Sequence, residues 1–317
     1  MKPTSLRSWV CVRYEAARAL VYNGVLLAPL GGLPRVLGCS MRPVTIKERL
    51  SYVPIKIESF FDDTQLSCGT GFFYEYGTTT YLLTNWHMVS GRNTSNGQPL
   101  SRTGAIPNKM HIRIPYKEKI DENRSGIRWK QHILDLYEES IPIWFVHPKH
   151  NENIDVIGIE LSGIEETSII PANSTTLDLE NISIYPSMEV FILGFPLGMS
   201  GGGNFPLWKR GTIASEPEID IDNLPKFFVD TATREGMSGS PVYAQEVGYW
   251  APEGVMDKKD WYIGKGRRFV GVYSGRIGAE DEFKAQLGIV WKASCIDAIL
   301  EKKIRGKSSF SFFERAI

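Results

Sequence analysis

From about residue 45 onward the chain is a succession of short alternating or β-branched runs, each cut off by Gly, Asn or Pro. That punctuation constrains the fold more than any other feature, because it leaves no stretch long enough for a helical core. Tyr52–Phe60, Thr70–Tyr76, Thr79–Thr84, Met110–Ile114 and Ile141–Val146 read as strands. So do Ile154–Leu161, Met188–Leu193, Trp208–Ala214, Phe227–Thr231, Gly239–Tyr243, Arg268–Ser274 and Gln286–Trp291. Many short strands with turn signals about every 8–12 residues imply an all-β barrel or sandwich. Two stretches read as helical. One is the neighbourhood of Lys130–Glu139, and the other is Ser294–Lys303, where Ser294 is placed to cap and Ile296, Ile299 and Leu300 form an apolar face.

Two segments resemble insertions. Arg92–Pro107 is rich in Gly, Ser, Thr and Asn, the composition of a surface loop. Gln245–Arg267 carries Trp250, Trp261 and a mixed charge cluster. It reads either as an aromatic-bearing loop near a binding surface or, more simply, as a surface hairpin with packed tryptophans.

The first 44 residues stand apart as an extension. Lys2, Arg7, Arg13 and Arg18 precede an uncharged run from Ala19 to Pro34, followed by Val36-Leu37-Gly38-Cys39. A lipoprotein-type signal would place its lipid on Cys39. Asn23, Pro29 and Pro34 interrupt the apolar run, and Arg35 and Leu37 fit a cleavage region poorly. A spanning helix wants about 20 apolar residues, so a membrane anchor is weakly supported. Met41 offers an alternative start. The globular domain is therefore expected over 45–305, with a tail over 306–317.

Basic and acidic residues balance at 36 each, so no general positive field exists to gather nucleic acid or anionic lipid. The four cysteines, Cys11, Cys39, Cys68 and Cys295, form no CxxC pair. Free thiols are expected, which favours a reducing, cytoplasmic compartment. The alternative is an exported or lipid-anchored protein, held through residues 1–39.

The chemistry concentrates in a few places. Phe227 to Tyr243 runs from strand through a tight turn, Gly236-Met237-Ser238-Gly239-Ser240-Pro241, and back to strand. A nucleophilic serine needs a sharp turn with free backbone N–H groups beside it, and the two glycines allow that geometry around Ser238. On its own such a turn also fits a purely structural role. Serine needs a base, and histidine is the natural one near neutral pH. Of the five histidines, His87 follows the strand Tyr81–Leu83 directly, at a rigid strand end. His111 falls inside a strand and His132 on the expected helix. His147 and His150 flank Pro148 and would make a metal pair, but no third ligand cluster accompanies them. An orienting carboxylate is also required. Asp155 stands at the head of the otherwise apolar strand Ile154–Leu161, where an acid is costly to bury unless it is paired, and it is favoured over Asp63, Asp135 and Asp230. No HExxH, P-loop or Rossmann fingerprint appears, so neither metal nor cofactor is expected.

With these flanks and in this order, His87, Asp155 and Ser238 resemble the chymotrypsin-like (trypsin-fold) serine peptidases, and within them the bacterial trypsin-like and high-temperature-requirement-type branch. Four motifs carry the resemblance. They are Gly69-Thr70-Gly71-Phe72-Phe73 leading to Leu83-Thr84-Asn85-Trp86-His87, Asp155-Val156-Ile157-Gly158-Ile159, Val190 to Pro196, and Asp230 with the segment Gly236 to Pro241. The resemblance spans roughly residues 50–300. It implies two six-stranded antiparallel β-barrels, about 45–165 and 180–293, with a C-terminal helix over 294–303.

It also implies the roles. Ser238 would be the nucleophile, His87 the general base and acid, and Asp155 its orienting partner. The backbone N–H groups of Gly236 and Ser238 would form the oxyanion hole. The substrate would be a protein or peptide, lying along an edge that includes Tyr273, Ser274 and Gly275, with Ala232 at the base of the specificity pocket. Lacking charge there, the pocket would take a small or medium apolar residue, although Arg276 nearby could select acids. Some positions depart from the family pattern. Met88 follows His87 where a cysteine would pair with Cys68, and Met237 replaces the aspartate used in activation by a new amino terminus. The alternative function is a peptide-binding module that keeps the groove without turnover.

Overall fold

The protein is described by a computed structural model covering residues 46–122, 124–164, 167–276 and 287–310. The amino-terminal extension with Cys11 and Cys39, Gln286 and most of the tail lie outside the described residues.

The first half is built from β1 (Pro54–Phe61), β2 (Thr64–Tyr76), β3 (Thr79–Thr84), a short helix α1 (Trp86–Ser90), β4 (Lys109–Asp121) and β5 (Arg124–Asp135). Short strands follow: β6 (Tyr137–Glu138), β7 (Ile141–Pro142), β8 (Trp144–Val146) and β9 (Ile157–Glu160). The second half contains β10 (Glu189–Gly194), β11 (Leu207–Ile213), β12 (Lys226–Asp230), β13 (Pro241–Trp250), β14 (Tyr262–Arg276) and β15 (Leu287–Lys292). Helix α2 (Ser294–Lys302) and β16 (Ile304–Arg305) close the chain.

The second half is a closed barrel in the order β10-β11-β12-β15-β14-β13. The first half is not. Its strands form one eight-stranded sheet, β16-β8-β9-β3-β2-β1-β4-β5, with β16 and β5 left as edges. The reason lies in the pairing lengths. β1 meets β4 only over Ile57–Phe60, whereas β4 and β5 run together from Lys109↔Asp135 to Asp121↔Arg124. The hairpin continues past the body of the sheet, and its outer strand finds no further partner among the described residues. Ile55, Ile57, Phe73, Leu82, Met110 and Ile157 nonetheless pack into one buried cluster inside the curved sheet. At about 25 cal/mol per Å² of apolar surface, such burial dominates the stability of each half.

The stretch Lys130–Glu139 corrects the helical expectation, for it belongs to β5 and β6. Its Lys, Gln, Leu and Glu residues favour helix in isolation. Cross-strand pairing with β4 overrides that preference, and Trp129 and Leu134 turn toward the core. The C-terminal helix forms as expected, with Ile296, Ile299 and Leu300 buried. Ser294, however, is its first helical residue, and Ala293 stands at the cap with no side-chain hydrogen bond. Gly158 in β9 makes room for this helix, since a Cβ there would sit 2.7 Å from the Leu300 side chain.

Gln245–Arg267 is a hairpin between β13 and β14, in register from Gln245↔Arg267 to Trp250↔Tyr262. Trp250, in the last pair before the connecting loop, stacks on Tyr262, with ring centroids 4.8 Å apart. No helix among the described residues is long and apolar enough to cross a membrane.

The halves share a core. Phe72, Leu83 and Val156 from the first half pack in one cluster with Leu193, Tyr243, Val272 and Trp291 from the second, and Cys295 and Ile296 of α2 join them.

Candidate active site

His87 is delivered by a single turn of helix. Asn85 caps α1 in an extended conformation, and Gly91 ends it at φ 63°, donating its N–H to His87 O at 3.0 Å. Trp86, Met88 and Val89 are buried around that turn and fix its orientation. His87 itself stays half-buried.

Asp155 is 2% exposed, between the fully buried Ile154 and Val156. A carboxylate so placed must be fully hydrogen-bonded. Its Oδ1 accepts the backbone N–H of His87 at 2.9 Å, and its Oδ2 accepts from His87 Nδ1 at 2.7 Å. The Ser274 hydroxyl donates to the same Oδ2. Asn85 Nδ2 donates to the Asp155 carbonyl at 2.6 Å, so backbone and side chain are both tied to the helix turn. With Nδ1 carrying the donated proton, Nε2 is the basic nitrogen of the neutral ring. Burial of the imidazole opposes its protonation, and the charge and hydrogen bond of Asp155 outweigh burial. The His87 pKa is therefore raised above the ordinary histidine value.

Ser238 lies in the loop between β12 and β13, and is half-buried. Two glycines shape that loop. Gly236 has φ 89° and Gly239 φ 83°, a region that disfavours side chains. A Cβ at Gly239 would overlap the Thr70 carbonyl, and one at Gly236 would overlap the Phe195 carbonyl. Thr70 of β2 clamps the loop from the first half. Its N–H donates to Ser238 O at 2.8 Å, and its hydroxyl donates to Gly236 O at 2.8 Å while accepting the N–H of Phe195 at 3.1 Å. Thr84 holds Thr70 in turn, its hydroxyl donating to Thr70 O at 2.9 Å. From the barrel side, Gly239 N–H donates to Tyr273 O at 2.8 Å and Tyr273 N–H to Ser240 O at 2.9 Å.

The Ser238 loop and the His87–Asp155 pair therefore meet through adjacent residues. Tyr273 holds Gly239, and the next residue, Ser274, holds Asp155. Among the described hydrogen bonds none joins the Ser238 hydroxyl to His87, and none uses the N–H of Gly236 or Ser238. Both backbone groups of Tyr273 are engaged within the barrel, whereas Ser274 falls at an irregularity in the pairing of β14 with β15. Gly275 pairs with Ile289 at φ 118°. Ala232 is exposed, and its neighbour Thr233 is buried. The Arg276 side chain lies outside the described residues.

Sequence reasoning assigned Ser274 to a substrate edge and missed its bond to Asp155. Thr70, Thr84 and Asn85 lie within the motifs, where the sequence alone assigns them no role. The signal was present, because each is a polar residue in a run that is otherwise buried, and a buried polar side chain needs a partner.

Other groups do not compete for the chemistry. Burial pushes the Cys68 thiol up, and pushes Cys295 up to about 12, so neither is a ready thiolate. His147 accepts the N–H groups of Lys149 and His150 on Nδ1, each at 3.2 Å, and its ring lies 5.2 Å from that of His150. Among the described residues no group of three or more His, Cys, Asp or Glu side chains could hold a metal ion.

The sequence profile of the trypsin-like peptidase domain matches residues 69–248, more than half of the chain. Among solved structures, the chain is similar to an inactive form of the Rv3671c protease of M. tuberculosis, at 18% identity over 80% of this chain and 89% of that one, with a TM-score of 0.38. It is also similar to a serine endoprotease from Yersinia pestis, at 13% identity over 80% of this chain and 63% of that one, with a TM-score of 0.41. Comparison with curated protein sequences gives no match. The matched profile begins at the Gly69–Phe73 strand and takes in His87, Asp155 and Ser238, so the chain belongs to the trypsin-like peptidase family and is a serine peptidase.

Proposed function

We propose that the protein is a serine endopeptidase that cuts polypeptides through an acyl-enzyme formed on Ser238. The Ser238 oxygen adds to the scissile carbonyl carbon while its proton passes to His87 Nε2. The C–N bond then breaks as His87 returns that proton to the leaving amine. Water, deprotonated by the same nitrogen, releases the acyl group. Asp155 keeps the ring in the tautomer that presents Nε2 and stabilises the imidazolium as it forms. The N–H groups of Gly236 and Ser238 stabilise the oxyanion, where loss of one donor costs about 2.7–4 kcal/mol. The substrate backbone adds along Ser274–Gly275, the residues left at the irregular end of β14.

The observation that carries this reading is the buried His87–Asp155 pair, a carboxylate held under an imidazole at 2.7 Å beside a glycine-flanked serine. A base catalyst requires such a carboxylate beneath its imidazole, and this one also ties the helix turn to the barrel through Ser274. The free thiols Cys68 and Cys295 suit a reducing compartment.

The test is incubation of the purified protein with unfolded casein, with sequencing of the new amino termini. New termini are expected from the wild type and none from Ser238→Ala. Wild-type protein that is folded and binds peptides, yet produces no termini, would instead be a binding module.

A further inference from the structure

The hairpin of β13 and β14 has two unlike sides. Successive residues of a strand point to opposite sides, and directly paired residues share a side. On one side Trp250 and Tyr262 are paired and stacked. This side is covered by the segment before β10. A Cβ at Gly266 would sit 2.7 Å from the Ile182 side chain and 2.8 Å from the Trp250 ring, and the Tyr185 hydroxyl donates to Glu246.

The other side carries Val247 and Tyr249 of β13, with Ile263 of β14 directly opposite Tyr249. These three are 65%, 68% and 75% exposed. The connecting loop adds Met256, 92% exposed, and Trp261. Exposed apolar residues scattered singly are ordinary, but a strand face of them marks an interaction surface. The five side chains leave on the order of 700 Å² open to solvent, against about 800 Å² per partner in a standard interface. The charges around them balance, since Lys258, Lys259 and Lys265 are matched by Glu253, Asp257 and Asp260. The hairpin therefore offers an anionic lipid surface no net positive charge. The chain as a whole is balanced too, so two copies meet without net repulsion.

We propose that this face is the two-fold interface of a homodimer, in which a second copy of this chain lays its own Val247, Tyr249 and Ile263 on those of the first. A patch that pairs with itself about a two-fold axis closes after two copies. Little ordering is needed to form it, because Ile182, Tyr185 and Trp250 already hold the hairpin from its covered side. Tyr249 stands about 25 Å along β13 from Pro241, next to the Ser238 loop, so the interface lies away from Ser238 in each copy.

The experiment is sedimentation velocity of the full chain between about 1 and 100 μM, the range in which a modest interface of this size begins to associate. The proteins are the wild type, Ile263→Lys, and the double variant Tyr249→Lys with Ile263→Lys. Thermal melts at the lowest concentration are the folding control. The wild type should move toward the mass of two chains as concentration rises, and Ile263→Lys should weaken association at least tenfold. The double variant should stay at the mass of one chain and melt with the wild type, because both positions face solvent. Should it melt early, the single substitution decides alone. A wild type that stays at the mass of one chain overturns the inference. So does a dimer that a folded variant leaves intact, or an assembly of more than two chains. A monomeric wild type that sediments with phosphatidylcholine vesicles would assign the face to a lipid surface and overturn it too.

Discussion

In the amino-terminal half an open eight-stranded sheet carries His87 and Asp155, and in the carboxy-terminal half a closed six-stranded barrel carries Ser238. The two hold their reactive groups by different means. His87 is fixed by side-chain chemistry, in that a buried carboxylate gathers its N–H, its ring and the Ser274 hydroxyl. The Ser238 loop is fixed by backbone geometry, because Gly236 and Gly239 have positive φ and lie against carbonyls that exclude any side chain. The sheet contributes the helix turn, the buried acid and Thr70, and the barrel contributes the glycine-shaped loop and Ser274. Thr70 and Ser274 then couple the halves in opposite directions, one from the sheet onto the Ser238 loop and one from the barrel onto Asp155.

The most direct way to break the comparison is to remove the carboxylate while keeping its shape. Asp155→Asn should leave the fold in place, and lower kcat by about 10⁴, the loss recorded when the wrong histidine tautomer is held. A loss below tenfold would mean that the sheet half does not supply the orienting charge. On the barrel side, Gly239→Ala places a Cβ against the Thr70 carbonyl at positive φ. It should cost about 3 kcal/mol or more of unfolding free energy in a denaturant titration, with activity lost in parallel. A folded, fully active Gly239→Ala would show that the loop is not locked by geometry.

These contrasts explain how much could be read from residues alone. The pairing of Asp155 was legible because an acid at the head of Val156-Ile157-Gly158-Ile159 has no reason to be there unless paired, and the tight turn around Ser238 because of its flanking glycines. The extent of each strand pair was not legible. β5 was read as helix because Lys130–Glu139 has helical composition, and only the partner strand β4 decides otherwise. The closure of a sheet depends on which edges find partners across long sequence separations, and local pattern does not encode that. Ser274 was placed correctly along β14, but its hydroxyl's partner is 119 residues away. The inward direction of Thr233 rather than Ala232 follows from how the chain turns after β12.

A finer test concerns the couplings. Thr70→Val removes a hydroxyl that both donates to Gly236 O and accepts from Phe195 N–H, while keeping the side-chain shape. It should cost about 1–3 kcal/mol, since two buried polar groups lose their partner. The accompanying fall in kcat should exceed any change in KM, because the loop shifts and the binding edge does not. Equal falls in Thr70→Val and in a surface control would remove Thr70 from the account.

The central claim is that His87, held by Asp155, activates Ser238 across the seam. The measurement that meets it most directly is the pH dependence of Ser238 acylation by a fluorophosphonate, with the labelled residue identified by mass spectrometry. The base must be neutral to accept a proton, and Asp155 raises the His87 pKa. The wild-type rate should therefore rise with pH through a midpoint above about 6.5, the ordinary histidine value. Asp155→Asn leaves burial as the remaining influence, so its midpoint should move below that of the wild type, on a much lower plateau. Labelling at Ser238 with a rate that ignores pH between 5 and 8, or with the same midpoint in both proteins, would contradict the account.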